Sequence, residues 1–256
     1  MAYKDILYEK DGGIATITLN RPHKLNALSM DSYREVIKAL KDVDADDSVR
    51  AVILTGTGDR AFCAGDDIGI FEGLSAGKAR AFIKEVMPLM IGLEKMDKPA
   101  IAAVNGYALG GGFEVALACD MTIASENASF GLPEARLGIY PAFASLRLPG
   151  IMGAKRAKKL LLTGETIDAF EAERLGLVNR VVPLPQLMEA AREEARKVIR
   201  LAPLGVAMTK AAVNRGFGGE DLAFTVEATS LLFGTEDHRE GFNAFMEKRE
   251  PRFTGK

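Results

Sequence analysis

Along Ile14–Leu19, IATITL, apolar residues alternate with threonine at the two-residue period of a strand that buries one face. After the turn-rich stretch NRPHKLNALS the period lengthens. Met30, Tyr33, Ile37 and Leu40 fall on one helical face, with Ser29 placed as the N-cap and Asp31 in the positive first turn. AVILTG, residues 51–56, is a continuous apolar run closed by glycine, which predicts a short strand covered on both faces. Helical spacing returns over residues 78–96, where Pro88 is expected to kink or divide the helix. PAIAAV (99–104) and MTIAS (121–125) predict two more strands, with a glycine-rich turn and a helix between them. This recurrence of strand and helix up to about residue 135 predicts an α/β core. Beyond Ala154, AKRAKKLLLTG, DAFEAERLG, PQLMEAAREEARKVIRLA and residues 220–248 all suit helices, so the last hundred residues read as a helical layer suited to packing on neighbouring subunits.

Composition narrows the class. A chain of 256 residues that is 48% hydrophobic can bury a large core. Its 33 Lys and Arg nearly balance 35 Asp and Glu, so no nucleic-acid footprint or acidic tail stands out, and a charged ligand must be met locally. Cys63 and Cys119 are the only cysteines, and His23 and His238 the only histidines; none has the spacing of a structural zinc site, and no metal is expected. Two cysteines in apolar surroundings fit core residues of a reducing compartment, although spacing alone leaves a bridge between them open. The start, MAYKDILYEKDGG, lacks an apolar segment behind a basic one, and the expected location is cytoplasmic. Pro99–Cys119 is long and apolar enough to suggest a membrane span. Its glycines, Asn105 and Glu114 favour a strand, turn and helix within one core.

Within that segment, NGYALGGGFEVALACD places Gly110, Gly111 and Gly112 just ahead of Glu114. The plain reading is a tight turn. A dinucleotide fingerprint fails because its third small position is Val115, and because Asn105–Leu109 separate the predicted strand from the first glycine. A third reading uses the backbone. A helix starting near Gly112 aims its unpaired N–H groups at whatever precedes it, and glycines let a ligand atom approach, which suits a developing oxyanion. A second loop, FCAGDDI, follows another strand and can supply the Asp66 N–H to the same oxygen. FGLPEARLG then brings Glu134 twenty residues after Glu114. Taken singly, Glu114 is a dipole-complementing surface residue and Glu134 a loop residue. Taken together, the three stretches exceed what turns require.

AFCAGDDI, AAVNGYALGGGFEVALACD and FGLPEARLGIYP resemble, in order and spacing, the signatures of the enoyl-CoA hydratase/isomerase, or crotonase, superfamily. The likeness runs from LNRPHKLNALS to REGFNAFMEKREPRF. It implies an α/β spiral of repeated ββα units with a C-terminal helical trimerisation region, divided here into a core over residues 1–195 and a helical region over 196–256. It further implies an acyl-CoA thioester substrate, with CoA as part of the substrate and no separate cofactor, and a homo-oligomer, trimer or dimer of trimers, without nucleic-acid or membrane partners. By motif position the thioester oxygen sits between the Asp66 and Gly111 amides. Asp66 stands where comparable hydratases have alanine, so its carboxylate is expected to point away from the oxyanion. Hydratases of this family carry both glutamates. Glu114 is assigned to the attacking water and Glu134 to protonation of C2, and neighbouring carboxyls in a desolvated cleft raise a pKa in the way an acid requires. The resemblance also makes His23, Lys24, Leu25, Ala64, Asp67, Ile68 and Lys248 candidates for contact with CoA or substrate, with a solvated turn as the plain reading of the first three and an exposed charge that of Lys248. Ala142 and Ala144 replace glycines usual in the hydratases, which places any altered acyl preference in that segment. An isomerase using Glu134 as its base, or a non-catalytic or RNA-binding member, are the alternatives.

Overall fold

The computed structural model describes residues 3–201, 203–214, 230, 233–249 and 251. Strands β1 (Ile6–Asp11) and β2 (Ile14–Leu19) form an antiparallel hairpin, and helix α1 (Met30–Ala45) follows behind a capping box between Ser29 and Ser32. The buried face of α1 centres on Tyr33, Val36, Ala39, Leu40 and Val43, which leaves Met30 and Ile37 at its half-buried edges.

Three units then repeat one plan, each sending one strand to each of two sheets. They are β3 (Ala51–Gly56) and β4 (Ala61–Cys63) before α2 (Ala76–Lys95); β5 (Ala100–Val104) and β6 (Tyr107–Leu109) before α3 (Gly111–Ala118); and β7 (Met121–Ser125) and β8 (Ser129–Gly131) before α4 (Ala142–Met152). Strands β3, β5 and β7 run parallel in the larger sheet, and β4, β6 and β8 run parallel in the smaller one. This is the expected ββα repetition. Pro88 lies inside α2, which continues across it undivided.

After α4 come α5 (Ala154–Thr163), β9 (Thr166–Asp168), α6 (Ala169–Arg174), β10 (Arg180–Val182), α7 (Leu187–Ile199), α8 (Pro203–Val213) and α9 (Glu236–Met246). The helical texture read beyond Ala154 therefore omitted two strands. Strand β9 pairs antiparallel with β8, and β10 extends the larger sheet beside β7. Helix α7 runs unbroken through residue 195, where the sequence was divided. Residues 220–229 and 231–232 of the predicted helical stretch over 220–248 lie outside the described residues.

Burial follows from this layering. Val52 and Leu54 face the main core, whereas Ala51 and Ile53 face a second cluster under Ala190, Ala191 and Ala195 of α7, which is why β3 is apolar throughout. Both cysteines are free thiols, and burial pushes Cys63 up to about 12. Among the described residues no helix is long and apolar enough to cross a membrane.

Candidate active site

Glycines close the gap between the smaller sheet and α3. A Cβ on Gly112 would overlap the Cys63 carbonyl, so the first turn of α3 lies directly on the end of β4. A Cβ on Gly106 would likewise overlap the Arg60 carbonyl. Gly110 caps α3 with φ 51 and ψ −128, a backbone open to glycine. Two buried amide side chains fasten the neighbouring turns. Asn105 Nδ2 donates to the Gly56 and Gly58 carbonyls at 2.9 and 2.8 Å, and Asn26 Nδ2 donates to those of Thr57 and Ala61 at 3.0 and 2.7 Å.

This close approach brings the two candidate amides together. A Cβ on Gly110 would stand 3.8 Å from Gly65 Cα, and one on Gly65 would stand 3.7 Å from the Gly111 nitrogen. On either side of Asp66, the Ala64 and Asp67 amides donate to the Leu25 and Leu28 carbonyls at 3.0 and 2.8 Å, while the Asp66 amide stands outside that ladder. Gly111 opens α3, so its N–H has no acceptor within the helix.

Three carboxyls meet beside these amides. Glu114, in the first turn of α3, is 8% exposed, and its Oε1 accepts the Ala144 amide at 2.9 Å. Glu134 lies in the 3₁₀ turn Pro133–Leu137; its Oε1 is 3.0 Å from where a Gly110 Cβ would be, and its Oε2 is buried with no hydrogen-bond partner among the described residues. The third is Asp66, whose side chain enters the cavity instead of turning away. The hydroxyl of the buried Tyr33 donates to Asp66 Oδ1 at 2.6 Å, and Oδ2 lies 3.2 Å from the Cβ position of Gly111. A cavity of about 50 Å³ is lined by all three carboxyls, by Tyr33, Phe71, Phe82 and Phe233, and by aliphatic side chains. Among the described residues no Lys, Arg or His lines it.

Burial is the main cause that raises the pKa of each acid. Asp66 is pushed up to about 6, with the Tyr33 hydrogen bond pulling the other way. Glu114 is pushed up to about 7, the Ala144 amide lowering it and the Asp66 charge raising it. Glu134 is raised well above the ordinary range by burial and then by the Glu114 charge, with a hydrogen bond from its own backbone pulling the other way and the Asp66 charge adding to the rise. The Ala144 and Phe143 amides thus favour the ionised form of Glu114, whereas at Glu134 burial and the neighbouring charges outweigh its own backbone hydrogen bond.

The Glu134 turn is gripped from outside by α9. His238 Nδ1 lies 2.8 Å from the Leu137 carbonyl, and its ring packs 4.5 Å from that of Phe233. Side chains on Gly138 or Gly241 would overlap the facing backbones of α9 and the turn. Burial holds His238 below the usual histidine range, so it stays neutral and donates through Nδ1.

The remaining candidates lie outside the cavity lining. His23 and Lys24 are exposed on the turn Pro22–Lys24; Leu25 is half-buried, and its carbonyl receives the Ala64 amide. Asp67 caps the 3₁₀ turn Ile68–Phe71 and pairs with Arg21 at 2.9 Å, which holds its carboxyl below the usual range. Loops 21–28 and 64–68 therefore run side by side. Lys248 is exposed in the turn after α9, with φ 54. Among the described residues no group of three or more His, Cys, Asp or Glu is placed to hold a metal ion.

Three contributors escaped the sequence reading: the Tyr33 hydroxyl, the Ala144 amide and His238. Only Tyr33 carried a signal, since a tyrosine on a core face needs a partner for its hydroxyl. One ground for rejecting a dinucleotide fingerprint also falls, because β6 runs directly into Gly110; the ground at Val115 stands.

The sequence matches the enoyl-CoA hydratase/isomerase family over residues 9–256. A crotonyl-CoA hydratase of Syntrophomonas wolfei is 44% identical over 260 residues, covering 100% of both chains. A short-chain-enoyl-CoA hydratase of Clostridium acetobutylicum is 43% identical, over 98% of this chain and 97% of that one. Among solved structures, an enoyl-CoA hydratase from Bacillus anthracis superposes with a TM-score of 0.80 at 38% identity, over 99% of this chain and 100% of that one. A carnitinyl-CoA hydratase from Mycobacterium avium superposes with a TM-score of 0.87 at 37% identity, over 98% and 99%. With the match spanning nearly the whole chain and the glycine loops, amides and glutamates gathered at one place, the protein belongs to the enoyl-CoA hydratase/isomerase family.

Proposed function

We propose that this protein is an enoyl-CoA hydratase that adds water across the C2=C3 bond of a short 2-enoyl-CoA to give a 3-hydroxyacyl-CoA. The observation that carries this reading is the convergence of the Asp66 and Gly111 amides with two glutamates of unequal acidity in one cavity. The amides hold the thioester oxygen, which draws electron density from C3. Glu114 takes a proton from water as its oxygen bonds to C3, the π electrons move toward the thioester oxygen, and Glu134 delivers its proton to C2 as the enolate collapses. Both proton transfers are assigned to side chains of this chain, so the reading requires no metal or redox cofactor, and CoA enters with the substrate. Loops 21–28 and 64–68, with His23, Lys24, Leu25, Ala64, Asp67 and Ile68, form the rim along which CoA would lie, and Lys248 is a point charge for its phosphates.

A cavity of about 50 Å³ walled by aromatic rings supports a short acyl group, as do the crotonyl-CoA and short-chain names of the relatives. A homo-oligomer belongs to the same reading, supported by Leu201, Met208 and Val213, exposed after α7 and on α8; sedimentation of the purified chain tests it. A cytoplasmic location is proposed with it. The deciding assay offers crotonyl-CoA, longer 2-enoyl thioesters and a 3-enoyl-CoA. Hydration of crotonyl-CoA, declining with chain length, is the expected result. Turnover of the 3-enoyl-CoA alone would make the protein an isomerase, and turnover of none would end the assignment.

A further inference from the structure

Hydration as described uses two carboxyls, and the cavity holds three. Asp66 contributes its backbone to the oxyanion site, yet its side chain is also turned inward, against Gly111, in a cavity that no cationic side chain lines among the described residues. Arg21, in the adjoining loop, pairs with Asp5 and Asp67. Among the described residues, the titratable groups that surround Asp66 are Tyr33 from α1, Cys63 from β4, Glu114 from α3, Glu134 from its turn and Tyr140 beyond it, and none of them is a basic side chain. An ionised Asp66 beside an oxygen that gains negative charge would oppose the reaction.

Resting on the hydratase reading above, we propose that Asp66 works as a neutral carboxylic acid and that its side chain is a third hydrogen-bond donor to the thioester oxygen, beside the Asp66 and Gly111 amides. The location of the proton follows from geometry. Tyr33 donates to Oδ1 at 2.6 Å, so Oδ1 is occupied as an acceptor and the carboxyl proton falls on Oδ2, the oxygen that leans over Gly111. Tyr33 is therefore a positioning residue: buried at 1% exposure, it fixes which oxygen carries the proton. Burial raises Asp66 to about 6 in the empty site, and a developing oxyanion raises it further by favouring the protonated form.

The test combines turnover with a measurement that needs none. The first arm follows kcat/KM for crotonyl-CoA against pH in the wild type and in Asp66→Asn, Asp66→Ala and Tyr33→Phe. The second measures the heat of binding butyryl-CoA at neutral pH in two buffers of different protonation enthalpy. The wild type takes up a fraction of a proton on binding, and Asp66→Asn takes up much less. Wild-type kcat/KM falls on the basic side as Asp66 ionises; Asp66→Asn, whose amide donates at every pH, loses that fall. Asp66→Ala is about tenfold or more slower than Asp66→Asn at acid pH, the loss expected for one donor. Tyr33→Phe moves the basic fall to higher pH, because the phenol favours the charged carboxylate. Equal proton uptake by wild type and Asp66→Asn, one shared pH profile, or an alanine variant as fast as the asparagine variant overturns the inference. Differential proton uptake with no turnover of crotonyl-CoA at any pH overturns only the hydratase reading.

Discussion

Glu114 and Glu134 open into one cavity from backbones of opposite character. Glu114 rides on a helix whose first turn is pressed against β4 by a glycine contact, and its carboxylate has the Ala144 amide as a fixed partner. Glu134 sits on a single 3₁₀ turn held from outside by α9, and one of its oxygens has no hydrogen-bond partner among the described residues. The difference shows how identical side chains come to differ in acidity. Amides of Ala144 and Phe143 favour the charged form of Glu114, while at Glu134 burial and the charges of Glu114 and Asp66 outweigh its backbone hydrogen bond.

The sharpest way to break that comparison is to remove each carboxyl in turn. Glu114→Gln and Glu134→Gln should each lower kcat for crotonyl-CoA hydration by about 10²–10⁴-fold while the fold is retained, as steady-state assays beside circular dichroism would show. If either variant keeps wild-type kcat, the division of labour is wrong. Next in size is Gly112→Ala. Its new methyl meets backbone that cannot swing aside, so denaturant unfolding should report a loss of about 3 kcal/mol, along with loss of the aligned amides.

The pH dependence sharpens the same contrast. Activity should rise with pH as Glu114, at about 7, gives up its proton, and should fall where the acid partners lose theirs, so kcat/KM follows a bell whose limbs belong to the coupled group of acids. Stability moves the other way. A carboxyl whose pKa is raised by folding stays protonated in the folded chain while it is already ionised in the unfolded one. Its favourable contribution is complete below the unfolded value, near 4, and is lost as pH climbs to about 6 for Asp66 and about 7 for Glu114. Thermal melts of Glu114→Gln should therefore gain on the wild type by on the order of 2 kcal/mol between acid and mildly alkaline pH. A gain that shrinks with rising pH would contradict the assignment.

The smallest effect is expected on the Glu134 side. His238→Ala removes a buried hydrogen bond to the Leu137 carbonyl and a ring contact, which should cost about 1–2 kcal/mol in thermal unfolding and lower kcat several-fold with KM little changed. An unchanged kcat would show that the turn keeps Glu134 in place without α9.

Much of this was visible along the chain where the signal is local. The alternation over Ile14–Leu19, the unbroken apolar run of β3 and the Ser29 cap each reflect a periodicity or a single-residue preference, and each element formed where expected. Strands β4, β6, β8, β9 and β10, of three residues each, are too short for alternation to register; the first four pair with one another in the smaller sheet, and β10 forms against the edge of β7. The same limit explains the Asp66 side chain. Its backbone role could be placed by motif, but its direction depends on Tyr33, thirty-three residues earlier, and on the absence of any side chain at Gly111.

The sequence by itself determined the family and the repeated strand and helix plan, and it named candidates for the chemistry, because periods, glycines and motif order are properties of the linear chain. The tertiary structure alone decided that three acids share one cavity, that Glu114 accepts the Ala144 amide, and that Glu134 is raised furthest above the ordinary range. Those are consequences of distance and burial, and a carboxyl acquires its acidity from whatever the fold places around it.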